Sequence, residues 1–74
     1  MGKALEIFAA RIKELRDEQG LGLREAAAKM GISHSAILMY EKKKRTPDIE
    51  VCKLFADFYN VNGDYLLGRT DERR

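Results

Sequence analysis

The stretch LREAAAKMGISHSAILMY, residues 23–40, decides the fold. Leu23, Ala26, Ala27 and Met30 recur at i, i+3, i+4 and i+7, which is one face of a short helix. Gly31 then supplies the left-handed residue at which a helix stops and the chain turns. Ser33 is placed to cap a second helix, whose inner side carries Ile37 and Tyr40 with Glu41 close behind. Ala26, Ala27 and Ala28 leave little bulk between the two helices, so they can cross at short distance. The pattern reads as a helix-turn-helix.

Outward from this unit the chain is helical on both sides. A first helix is expected from about Ala4 to Gln19, its apolar stripe formed by Leu5, Phe8, Ala9, Ile12 and Leu15. Gly20 ends it, Leu21 drops into the core, and Gly22 stands at the cap of the next helix. Beyond KKKRTPD, Asp48 is expected to cap a fourth helix over Ile49 to Tyr59 with a core stripe of Ile49, Cys52, Phe55, Ala56 and Tyr59. Beside that stripe lies a second apolar row, Val51, Leu54 and Phe58. It either thickens the core or joins Tyr65 and Leu66 in a two-fold homodimer interface. Asn62 is expected to cap a short last helix closed by Gly68. The expected architecture is all-α, five helices in one domain over residues 1–69, with 70–74 as a flexible charged tail.

Composition narrows the function. The chain has 74 residues, 45% hydrophobic and 35% charged, a balance that suits one compact helical domain. Its single cysteine, Cys52, cannot close an internal disulfide, and with the single histidine, His34, it cannot build a metal site. No glycine-rich phosphate loop or nucleophile with a histidine partner is present, so no catalytic activity and no cofactor are expected. No stretch approaches the ~18 apolar residues of a membrane span and no signal sequence is evident, which points to a cytoplasmic protein. The net charge is only +2 but is unevenly spread. Between Gly20 and Arg45 the cations Arg24, Lys29, Lys42, Lys43, Lys44 and Arg45 face only Glu25 and Glu41, which makes this third of the chain +4 and the remainder −2.

IKELRDEQGL (12–21), AAAKMGIS (26–33), AILMYEKKKRTPDIE (36–50) and ADFYNVNGDYLLGRTD (56–71) together resemble the lambda-repressor-like (Xre/Cro) helix-turn-helix family of bacterial and phage DNA-binding domains. The similarity spans roughly Phe8 to Arg69. It implies a sequence-specific regulator of transcription, a repressor, bound to double-stranded DNA at a palindromic operator. It also implies that Arg16 pairs with Glu41, tying the first helix to the end of the third. In the family the outward positions of the third helix enter the major groove, and here these are His34, Ser35, Leu38 and Met39. Histidine and serine can hydrogen-bond base edges, while Leu38 and Met39 can pack on a thymine methyl. Lys42, Lys43, Lys44 and Arg45 fall where the family's chain passes along the phosphate backbone.

Two positions depart from the family pattern. Leu23 stands in place of a phosphate-holding glutamine, with Arg24 beside it as a substitute phosphate contact. Lys43 stands in place of a frequent glycine, which alters the loop if that glycine has positive φ. An alternative reading on the same fold is a protein-interaction module, an antitoxin, anti-repressor or assembly factor whose partner covers Leu23, Leu38 and Met39.

Overall fold

The computed structural model describes residues 2–74, which form five helices and no strand. They are α1 (Lys3–Glu18), α2 (Leu23–Met30), α3 (His34–Glu41), α4 (Ile49–Tyr59) and α5 (Gly63–Leu67). Local chemistry sets the boundaries. The hydroxyl of Ser33 accepts from the Ala36 amide at 3.1 Å, and Asp48 accepts from the Val51 amide at 2.9 Å, each relieving a helix start of an unpaired donor. Gly31 closes α2 at φ 79°, where its amide reaches the Ala27 carbonyl at 2.8 Å. That left-handed residue turns the chain from α2 into α3.

Three rings from three helices form the centre. Phe8, Tyr40 and Phe55 meet edge to face with centroids 5.5–6.4 Å apart, so α1, α3 and α4 share one aromatic junction. Ile12, Ile37 and Leu66 are fully buried around it. Ala26 and Ala27 are buried where α2 and α3 meet, whereas Ala28 is exposed, so two alanines and not three line that contact. Cys52 is half-buried against the core. Burial, with the nearby Asp48 carboxylate, pushes its thiol above the ordinary range, as suits a packing residue.

A polar tie fixes α3 on α1. The Arg16 guanidinium donates from Nε to Glu41 Oε2 at 2.8 Å and from Nη2 to Oε1 at 3.0 Å, while Nη1 donates to the Leu21 carbonyl at 2.9 Å. The side chains are only 11% and 5% exposed, and the bond to Glu41 holds the Arg16 pKa above its usual value. One guanidinium thereby fixes both the turn into α2 and the end of α3.

Three expectations are corrected. Ile49 is 85% exposed and not in the core stripe. It is the first residue of α4, where the Cα–Cβ bond tilts toward the helix N-terminus, and the buried residues of α4 all lie in its second half. Tyr65 and Leu66 are buried, at 5% and 0% exposure, which removes them from any dimer interface. A five-residue helix has only one inward side, and Leu66 fills it while the Tyr65 ring lies beneath Arg11, 4.1 Å from the guanidinium carbon.

The tail is likewise held rather than free. The Asn62 amide donates to the Arg73 carbonyl at 2.7 Å and its side-chain amide to the Glu72 carbonyl at 3.0 Å. Arg73 forks onto Glu18 at 2.7 and 2.8 Å and reaches the Tyr65 hydroxyl at 3.2 Å. Arg11 donates to the Thr70 carbonyl at 2.8 Å and to Asp71 at 2.7 Å. These polar bonds do for residues 70–73 what apolar burial does elsewhere.

Glu41→Ala leaves the Arg16 guanidinium without its partner and is expected to cost about 3–5 kcal/mol in urea unfolding, whereas Arg16→Met combined with Glu41→Leu recovers most of the loss. Arg73→Ala tests the tail. The Arg73 hydrogen bond holds the Glu18 carboxyl below its ordinary range, so the pair stabilises the fold at neutral pH and ceases to do so as pH falls through that depressed value. Parent and variant should therefore differ in unfolding midpoint at pH 7 and converge in acid.

Candidate nucleic-acid interface

The two sides of α3 have different tasks. Ile37 and Tyr40 are buried at 1% and 6% exposure and anchor the helix. At about 100° per residue, Ser35 and Met39 lie nearly opposite Ile37, with His34 and Leu38 on the flank. The structure leaves Ser35 and Met39 exposed and His34 and Leu38 partly so. The pairs Ser35/Met39 and His34/Leu38 are each four residues apart, so the four side chains form one continuous patch. Leu23, in contrast, packs against the core, so of the three apolar residues assigned to a protein partner only Leu38 and Met39 face outward.

Past α3 the chain is shaped by two hydrogen bonds, Lys43 N–H to the Tyr40 carbonyl at 3.1 Å and Lys44 N–H to the Met39 carbonyl at 2.9 Å. Closing both requires a left-handed residue, and Lys43 adopts φ 62°. Lys43 thus holds a left-handed conformation that glycine adopts without strain. Lys42, Lys43, Lys44 and Arg45 are all exposed, and the Arg45 guanidinium lies 5.9 Å from the Tyr40 ring centroid. That cation–π contact directs Arg45 back along α3. Arg24, second residue of α2, is also exposed.

Ion pairing divides the cations of the described residues into two main sets, with Lys3 and Arg74 unpaired near the two ends. Arg11, Lys13, Arg16, Lys53, Arg69 and Arg73 each pair with a carboxylate. Among the described residues, none of the six cations between Gly20 and Arg45 does so. Glu41, one of the two acids in that segment, is taken up by Arg16. The α2–α3 side therefore carries uncompensated positive charge, while the positive charge elsewhere is largely neutralised in place. Sequence reasoning counted the excess but did not assign Lys29, whose exposed and unpaired state places it in the same set. Neither did it find the Arg45–Tyr40 contact, which depends on the loop's path.

This arrangement offers a short polar and apolar reading face beside a cationic rim, with no helix long and apolar enough to cross a membrane among the described residues. Comparison with known proteins agrees with it. A helix-turn-helix family model matches residues 12–66. The chain is 38% identical over 61 residues to the transcriptional regulator ImmR of Bacillus subtilis, covering 82% of this chain and 48% of that protein. It is 32% identical over 66 residues to the uncharacterized regulator YobD of the same species, covering 89% and 59%. It is 34% identical over 55 residues to RstR, a cryptic phage CTXphi transcriptional repressor of Vibrio cholerae, covering 74% and 50%. The chain thus spans about half the length of the curated relatives it matches. The five-helix architecture, the turn at Gly31 and these matches together establish that the chain belongs to the lambda-repressor-like helix-turn-helix family.

Proposed function

We propose that this chain binds double-stranded DNA as a sequence-specific transcriptional regulator, acting as a repressor in the cytoplasm. The observation that carries the reading is the coincidence of the exposed α3 patch with the only large set of unpaired cations among the described residues. A duplex groove is a polyanionic slot wide enough for one helix, so it matches both features at once. His34, Ser35, Leu38 and Met39 then meet base edges, while Arg24, Lys42, Lys43, Lys44 and Arg45 lie along the phosphates. No catalytic step, metal or cofactor enters this reading. The similarity to RstR, a transcriptional repressor, supports repression over activation.

Val51, Leu54 and Phe58 on α4 pack against the core and stay half-exposed, so the row thickens the core and only its outer part is left to a homodimer, now without Tyr65 and Leu66. Two copies related by a two-fold axis place their α3 helices about 34–36 Å apart on a palindromic operator. The alternative protein-interaction reading loses Leu23, and an apolar partner makes no use of six unpaired cations.

The contributions of rim and patch separate in a binding experiment. Lys42→Ala with Lys44→Ala should weaken binding to every duplex alike and lower the slope of log affinity against log salt by about 2. Ser35→Ala or Met39→Ala should instead change the order of preference among duplexes drawn from a random pool. Loop variants that alter preference, with patch variants that leave it untouched, contradict the proposed docking.

A further inference from the structure

Lys43 is unfavourable where it stands for two separate reasons. Its φ of 62° is the left-handed region, which costs a residue with a Cβ stability that glycine does not lose. Asn60, at φ 58°, shares this conformation, but its short polar side chain tolerates it and lysine's does not. Lys43 also sits between Lys42 and Lys44, all three exposed and without a carboxylate partner among the described residues. The two capping bonds of α3 prevent the backbone from relaxing, so the strain is fixed by the same turn that aims the loop. In the isolated domain the two capping bonds hold the turn against the strain, and no carboxylate among the described residues offsets the charge.

We propose that Lys43 exchanges folding stability for affinity: its ammonium binds the duplex phosphate backbone, and that contact repays a conformation the free domain holds at a loss. This rests on the DNA reading above and adds to it a residue-level trade. A left-handed residue interrupts the helical spiral, so Lys43 does not continue a face of α3. Glycine in its place keeps the turn, relieves the strain and removes one phosphate contact.

The test compares three variants of the full chain on a mixed-sequence duplex, which reports the electrostatic share without a known operator. Lys43→Gly is expected to raise the denaturant midpoint, to lose affinity several-fold and to lower the salt slope by about 1. Lys43→Ala should lose affinity equally with only the smaller part of the stability gain that comes from removing the charge, because alanine keeps the strain. Lys43→Arg should keep both affinity and strain. A Lys43→Gly protein with undiminished affinity and salt slope overturns the inference, as does one with no gain in midpoint. If Lys43→Gly leaves binding intact while Lys42→Ala with Lys44→Ala weakens it, the trade fails and the DNA reading stands. If neither weakens it, the DNA reading itself fails.

Discussion

The buried fork between Arg16 and Glu41 is the interaction on which the rest of the structure depends. α3 is eight residues long, too short to persist alone in water, so its position must come from tertiary contacts. Ile37 and Tyr40 supply the apolar part, and the fork supplies the directional part at the far end of the helix. Because the same guanidinium holds the Leu21 carbonyl, α1 becomes the common reference for the turn before α2 and the end of α3. The angle between the two helices is thereby set at both ends of the motif.

The fork also has an electrostatic consequence on the far side of α3. An unpaired Glu41 would place a negative charge directly before Lys42. Pairing with Arg16 removes it, and the four cations that follow are left without an ion-pair partner among the described residues. Elsewhere among the described residues the distribution runs the other way, since α1, α4 and the tail pair all their cations but Lys3 and Arg74 with carboxylates. A molecule of net charge +2 thus presents one positive side and a remainder that is net negative. Only the unpaired side is suited to long-range attraction of a polyanion.

Much of this was legible in the sequence because it is local. Gly31, Ser33 and Asp48 announce the turn and the helix starts through their own backbone chemistry, and the period-3.6 stripes identify Phe8, Ile12, Ile37 and Phe55 as core. The misreadings have a common origin in contacts that span the chain. RTDERR has no apolar residue and reads as a mobile end, yet Arg73 meets Glu18 across 55 residues. Helical periodicity put Ile49 on the inner stripe but carries no information about where along its axis α4 stops being covered. Tyr65 looked available for a dimer because nothing in the sequence indicates that Arg11 and Arg73 close over its ring. The strained turn at Lys43 was foreseen only as a condition on φ, since a capping geometry is visible only once the carbonyls of Met39 and Tyr40 are placed.

The central claim is that one side of α3 and the turn after it meet DNA while α1, α5 and the tail do not. Backbone amide chemical shifts of the isotope-labelled chain, followed as a duplex is added, test this most directly. The account predicts changes concentrated at residues 34–39 and 42–45 with a smaller set near Arg24, and little change along α1, α5 and residues 70–74. Changes centred on α1 or the tail, with α3 unmoved, would contradict it.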